Sequence, residues 1–355
     1  LAFLTPLTKR IRRHSVRKEK TLSASLIDAS PMPAELVSMD MREFTVFRAL
    51  IHRETGIWLR DGKQAMLASR LSRRLRHHGM RDFATYFAYI EQARDGGQEL
   101  GELINCVTTN KTSFFREAHH FEFLAETLVP AARTAALRGE PRAIRVWSAA
   151  CSTGEEPYSI AIALLEALGT GQPSRPSAGS PPGVSASSSW EIEIVASDID
   201  TAVLATAAQG IYSEAALESV SPALQAKYFL RGKGNMLGRV RLKAEVSNLI
   251  KFHRINLMDS TWPIDAKFDA IFFRNALIYF NHDTQELFLR KMLRYLKPGG
   301  YLFLGHSEHV PWLHDAVLPL NRTVYQLRPG GGHPRAAHAS PTVSHSAAPH
   351  GARRR

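Results

Sequence analysis

Cysteine is nearly missing from this chain of 355 residues: Cys106 and Cys151 stand alone, far apart and outside any CxxC or Cys/His spacing. That excludes a disulfide framework and a zinc ribbon, and it is the usage of a reducing compartment. Long apolar runs are missing too, since none approaches the ~18 residues that would propose a membrane span. The first residues place their few apolar side chains before their charges, the reverse order of a secretory leader. The expectation is a cytoplasmic protein that does not insert into a membrane. Acids are absent from one stretch in particular, residues 62–81, which hold Lys63, Arg70, Arg73, Arg74, Arg76 and Arg81.

What is present in excess is positive charge, a formal +12. Such an excess suggests nucleic acid, so its placement matters more than its size. Residues 1–20 carry seven Lys/Arg and one Glu, and residues 329–355 carry four Arg and no acid, so the remainder is nearly neutral. Residues 1–33 read as a flexible basic arm. Residues 329–355, rich in Gly, Pro, His and Ser without periodicity, read as a disordered tail. A third biased segment, 169–189, interrupts an otherwise regular pattern and reads as an inserted surface loop.

The length suits two domains. Over 34–107 apolar residues recur at spacings of three and four without β-rich runs, which predicts a helical domain; 108–141 follow as linker and helix. From 142 to 328 short apolar strands (AIRVWSAA, IEIVASD, LIKFHRI, FDAIFFRN, YLFLGH, TVYQL) alternate with helical stretches such as EPYSIAIALLEAL and TQELFLRKMLRYL. That alternation predicts an α/β domain with a parallel sheet covered on both faces. KPGG, 297–300, reads as a helix stop and tight turn. Within 212–246 the alternation breaks, and GKGNMLGRVRLKAEV reads as a Gly-turned antiparallel hairpin, a small β subdomain.

Three strand ends carry polar residues suited to a ligand, because open α/β sheets bind beyond the carboxyl ends of their strands. WSAACSTGEEPYS turns at Gly154 and puts Glu155 and Glu156 in the first turn of a helix. Two carboxylates there repel phosphate and suit a ligand with a positive centre, although they also complement a helix dipole. The second strand ends in Asp198, where such folds place an acid for ribose hydroxyls; an Asp there can equally cap the next helix. Its distance from Gly154 returns to the usual ~20 once the loop 169–189 is set aside. FDAIFFRNALIYF ends in Arg274 and Asn275 with Tyr279 close behind.

Taken together, TTNKTSFFRE, VWSAACSTGEEPYSIA, ASDID, INLMD and FDAIFFRNALIYF resemble, in this order, the motifs of the chemotaxis receptor glutamate O-methyltransferases, the CheR family. The resemblance runs from about residue 40 to 328. It implies a Rossmann-like S-adenosylmethionine-dependent methyltransferase domain with a small β subdomain, preceded by an all-helical domain. It implies cofactor contacts at Asn110, Thr112, Arg116, Glu155, Asp198, Asn256, Leu257, Asn275 and Ala276. It assigns the basic segment (Lys63, Arg70, Arg73, Arg74 and Arg76) to the acidic helical cytoplasmic domain of a chemoreceptor, whose glutamates become methyl esters as the cofactor becomes S-adenosylhomocysteine. In some members the β subdomain also tethers the receptor's C-terminal peptide.

By position, after the aromatic pair of the linker and just past a strand's carboxyl end, Arg116 and Tyr279 are the candidate catalytic pair, holding a substrate carboxylate from two sides; that Arg116 only binds cofactor stays open as the alternative. The linker TTNKTSFFREAHHFEFL then acquires two jobs: Phe114 and Phe115 pack it between the helical domain and the sheet, while its polar edge closes on a nucleoside. At about 100° per residue, Lys63, Arg70 and Arg74 share one helix face, Arg73 and Arg76 continue it, and Leu67, Leu71 and Leu75 form a separate apolar stripe. Six cations without an acid repel one another unless a partner compensates. Two other readings stay open, a nucleic-acid methyltransferase and a non-catalytic cofactor-binding adaptor. Against the first, Arg-Asn-Ala-Leu stands where an Asp-Pro-Pro-Tyr-type tetrapeptide would methylate an amino nitrogen.

Overall fold

Asp40 starts the first helix with a capping box: its side chain accepts the Glu43 backbone N–H at 2.7 Å, and Glu43 reaches back to the Asp40 N–H at 2.8 Å. This satisfies donors that the first helical turn leaves unpaired. The computed structural model describes residues 37–92, 97–169, 189–321 and 323–330. The expectations for the arm 1–33, the interior of the loop 169–189 and the tail beyond Gly330 fall outside the described residues.

Four helices follow: α1 (Met41–Thr55), α2 (Gln64–His77), α3 (Phe83–Gln92) and α4 (Gln98–Val107). Their apolar stripes close one core, with Phe47 stacked on Tyr86 at 6.0 Å and edge-on to Phe83 at 6.3 Å. Each fully buried side chain of this size is worth roughly 1.5–3 kcal/mol. The α2 stripe Leu67, Leu71 and Leu75 is buried in it. Gly56 ends α1 at φ 75°, and a Cβ there would meet Met258 Sδ at 2.9 Å and Thr284 Cγ2 at 3.0 Å. Only a glycine lets the helical unit sit this close to the following domain.

After the linker come α5 (His119–Phe123), a π turn (Leu124–Leu128) and α6 (Val129–Leu137). The second domain then runs β1 (Ala143–Ala149), α7 (Glu155–Leu168), β2 (Glu191–Asp198), α8 (Thr201–Gln209), β3 (Ile211–Ser213), α9 (Pro222–Tyr228), β4 (Phe229–Arg231), β5 (Arg239–Leu242), α10 (Ala244–Ser247), β6 (Ile250–Arg254), β7 (Phe268–Phe273), α11 (His282–Leu293), β8 (Leu296–Leu304), β9 (Val317–Asn321) and β10 (Val324–Leu327). The main sheet has the order β6-β2-β1-β7-β8-β10-β9. Alternate residues of its central strands enter two different cores: Val146, Ile194 and Phe272 on one face, Trp147, Val195 and Ile271 on the other. A sheet buried on both faces explains why these strands read as continuous apolar runs.

Two details depart from the sequence expectation. The sheet is mixed, because β10 pairs antiparallel with β8 and β9 antiparallel with β10. The segment between β8 and β9 contains only a short 3-10 turn, Pro311–Leu313, and lacks the crossover helix that a parallel return uses. KPGG does not precede β8 but lies inside it, with Gly299 at φ 74° and a register shift in the pairing with β7. The segment with the predicted hairpin forms a separate antiparallel sheet, β3-β5-β4, in which β4 and β5 pair directly.

Phe114 and Phe115 also have different partners from those expected. Phe114 is buried edge-on between Tyr212 (5.0 Å) and Phe229 (5.5 Å) of the small sheet. Phe115 packs on Phe121 at 5.2 Å, and its N–H donates to Ser159 Oγ of α7 at 2.9 Å. Both aromatics therefore serve the second domain. The helical domain grips the linker by polar contacts instead, as Arg70 donates to the carbonyls of Val107 and Thr108 and to Thr109 Oγ1.

Candidate active site

Five non-glycine residues take positive φ among the described residues: Phe115, Glu117, Ala150, Ser152 and Asn275. They belong to the linker and to the turns after β1 and β7. Such backbone is costly and persists where surroundings over-determine it. After β1, Gly154 at φ 97° is required as well, since a Cβ would lie 2.8 Å from Ala207 Cβ and 2.9 Å from the Tyr212 hydroxyl.

Two acids divide the work at the end of β2. Asp200 caps α8, its Oδ1 accepting Ala202 N–H at 2.9 Å and Val203 N–H at 3.2 Å. Its Oδ2 accepts Thr108 Oγ1 (2.7 Å) and Asn110 Nδ2 (2.8 Å), which ties the linker to this strand end. Asp198 is therefore free of the capping role. It accepts Ser152 N–H at 2.9 Å and Asp200 N–H at 3.0 Å and lines a cavity; burial pushes its pKa up, against those two N–H donors.

At the end of β7 the buried Arg274 pairs with Glu156 of α7 (2.9 Å) and Glu117 (3.3 Å) and donates to the carbonyl of Arg116. Burial raises the Glu156 pKa even with Arg274 and the Ser148 hydroxyl opposing it. Glu308, also buried, accepts three backbone N–H groups: Gly305 at 2.6 Å, Asn275 at 2.9 Å and Leu277 at 2.8 Å. The positive-φ turn at Asn275 is thus held from outside by a carboxylate. Tyr279 follows it and accepts the Trp58 N–H on its carbonyl at 2.7 Å, beside an antiparallel bridge between Ile57 and Phe280.

These turns and the helical domain enclose a cavity of about 690 Å³, a size ordinary for cofactor sites. Of the residues singled out from sequence, Asn110, Thr112, Arg116, Glu156, Asp198, Arg274, Asn275, Ala276, Tyr279, Lys63 and Arg70 line it. Glu155, Asn256 and Leu257 are not among its lining residues. Glu155 is buried and accepts Thr153 Oγ1 at 2.7 Å. Asn256 donates to the Glu54 carbonyl at 2.7 Å, a contact to the end of α1, and Leu257 packs on the core behind β7.

The uncompensated basic face needs correction. Arg74 is only 15% exposed and forms a fork with Glu99 of α4, where His78 and the Tyr86 hydroxyl also meet. Arg70 is spent on the linker carbonyls. An acid 25 residues away in sequence supplies the compensation for Arg74 that 62–81 lacks. Lys63, Arg73 and Arg76 remain exposed. Sequence reasoning missed Glu117, Asp200 and Glu308 as organisers and read Glu156 as facing a ligand, where it pairs with Arg274; a buried Arg after an apolar strand was the one available signal, since it demands acids nearby.

A doubly wound sheet with an acid at the second strand end and a glycine turn after the first suits a ligand that carries a ribose, and the family match makes the chain an S-adenosylmethionine-dependent methyltransferase. Residues 110–177 and 182–325 match the family model described as the CheR methyltransferase SAM binding domain, and 42–108 match the CheR methyltransferase all-alpha domain. The chain belongs to the CheR methyltransferase family. It is 42% identical over 283 residues to chemotaxis protein methyltransferase 2 of Pseudomonas aeruginosa, covering 80% of this chain and 92% of that one. It is 44% identical over 278 residues to the chemotaxis protein methyltransferase of Salmonella typhimurium (78% and 87% covered) and 41% over 293 residues to that of Escherichia coli (82% and 93%). Among the described residues no helix is long and apolar enough to cross a membrane.

Proposed function

We propose that this cavity binds S-adenosylmethionine and admits a glutamate side chain of a chemoreceptor, and that Arg116 and Tyr279 position the carboxylate. The reaction is that of the family: a glutamate becomes its 5-O-methyl ester and S-adenosylhomocysteine is left. When bound, the cofactor supplies a methyl group activated by a positively charged sulfonium. The observation that carries the reading is that residues from the linker, the ends of β2 and β7 and the start of α2 share one cavity.

The fit to the cofactor rests on Asp198. Each of its oxygens accepts one backbone N–H and retains acceptor capacity. Two ribose hydroxyls are a matching pair of donors. Asn110, Thr112, Asn275 and Ala276 form the remaining polar and small-residue wall.

A glutamate carboxylate is already ionised at pH 7, so no general base is required. The enzyme supplies orientation and exclusion of water, and orientation alone contributes up to about 7–11 kcal/mol in favourable cases. Arg116 donates Nη1 to the Lys111 carbonyl at 3.0 Å, which fixes the side chain while its other N–H donors stay available. Holding one carboxylate oxygen lets the other point at the methyl group. Pairing that is too tight stabilises the ground state and slows transfer, which is why the role is positioning.

The small sheet is proposed as the tether for a receptor's C-terminal peptide, supported by the unpaired outer edge of β4 and the exposed Leu230 and Leu237. The cytoplasm, where the receptor's acidic helices lie, is the proposed place of action. Incubation with methyl-labelled cofactor and a receptor cytoplasmic fragment tests the substrate. Base-labile label on the receptor is the expected result; label in co-purified nucleic acid overturns it.

A further inference from the structure

Trp58 and Ile278 are large apolar side chains left 44% and 53% exposed, and both line the cavity next to Tyr279. They come from different domains, yet the Trp58 N–H to Tyr279 carbonyl bond and the Ile57–Phe280 bridge hold their segments side by side. The indole is braced edge-on by His52 at 5.3 Å and by the Arg48 guanidinium at 5.8 Å. Single exposed apolar side chains need no explanation, whereas two exposed together with a rim of cations mark a contact surface. Exposed Arg60 and Lys63 adjoin the pair, and Arg73 and Arg76 extend the positive charge along α2.

We infer that Trp58 and Ile278 form an apolar docking patch for the helix that carries the substrate glutamate, and that this helix is acidic with an aliphatic side chain one turn from the target. The inference rests on the substrate reading above. A helical glutamate brings its i±3 and i±4 neighbours on the same face. Once its carboxylate enters the cavity, those neighbours meet the rim, and the rim carries Trp58 and Ile278. The cations attract an acidic helix but tolerate many registers. An aliphatic side chain seated between the indole and the isoleucine selects one of them, and so selects which glutamate enters.

The test is receptor-fragment methylation by wild type, Trp58→Ala and Ile278→Ser, at low and high salt, with S-adenosylhomocysteine affinity read by calorimetry. Loss of a buried aliphatic contact should raise KM about tenfold with kcat changing much less, in both salts. Replacing the aliphatic residue one turn from the methylated glutamate by Gln should raise wild-type KM equally and add little to Ile278→Ser. An unchanged KM for Ile278→Ser, or an effect that vanishes at high salt, overturns the patch while the substrate reading stands. If Trp58→Ala loses S-adenosylhomocysteine affinity, the ring belongs to the cofactor site and is struck from the patch. A wild-type enzyme that leaves the fragment unlabelled overturns the substrate reading and the patch together.

Discussion

The buried carboxylate of Glu308 accepts the backbone N–H of Asn275 at 2.9 Å and so ties the segment after β8 to the positive-φ turn after β7. Glu308→Gln replaces an oxygen facing backbone donors with an N–H group that faces them too. An unsatisfied buried donor costs about 1–3 kcal/mol, and the turn carrying Tyr279 loses its anchor. Thermal unfolding should shift downward, and turnover should fall further than the affinity for S-adenosylhomocysteine. Equal losses would reduce Glu308 to a purely structural residue.

Asp198→Asn should weaken cofactor binding, because hydrogen bonds to a charged acceptor are worth roughly 1.5–3 kcal/mol each. Calorimetry with S-adenosylhomocysteine checks this. An unaltered affinity removes the ribose assignment.

Arg116→Lys keeps the charge and loses the planar fork, whereas Tyr279→Phe keeps the ring and loses the hydroxyl. Both should lower the single-turnover rate on receptor fragment by more than they lower cofactor affinity. A normal rate in Tyr279→Phe takes that residue out of the mechanism.

Charge reversal at the exposed Lys63, Arg73 and Arg76 should raise the KM for receptor fragment, more at low salt than at high, because screening weakens exposed charges first. Reversal at Arg74 acts differently. It leaves the buried Glu99 beside a like charge, and breaking a buried pair costs about 3–5 kcal/mol. The expected result is loss of the folded helical domain by circular dichroism.

The same pair gives a pH dependence. Burial alone would raise the Glu99 pKa, but hydrogen bonds from Arg74, Tyr86 and His78 outweigh it and lower it from the ordinary 4.5 to about 2. A depressed carboxylate stabilises the fold above its unfolded pKa, and that stability is lost as pH falls through the folded value. Acid titration of the wild type should therefore destabilise the helical domain between about pH 4.5 and about 2. Glu99→Gln, already weakened, should show a flatter profile over that window.

Much of the site was legible because its elements are local. The apolar runs ending in Asp198 and Asn275 announce strands whose carboxyl ends face the cavity, and Gly154 marks the turn between β1 and α7. What stayed hidden was pairing at long range. Arg274 and Glu156 are 118 residues apart, Asn275 and Glu308 33, Arg74 and Glu99 25. Charge counted within a window cannot reveal an acid that another helix returns to it, so α2 looked more cationic than it is. The antiparallel β9 was missed for a related reason: Leu318 and Leu320 are half-exposed at an edge, and Pro319 interrupts the pattern.

The close approach at Gly56 and the bridge from Ile57 to Phe280 make the four-helix unit part of the cavity's wall. The two domains are consequently poor modules. A helical unit transplanted from a homologue arrives with its own residues opposite Met258, Thr284 and Phe280, and any mismatch distorts the place where Tyr279 sits. If the proposed substrate site is right, a chimera that exchanges the helices should keep its activity only when the matching turn after β7 is exchanged with them, which receptor-fragment methylation checks.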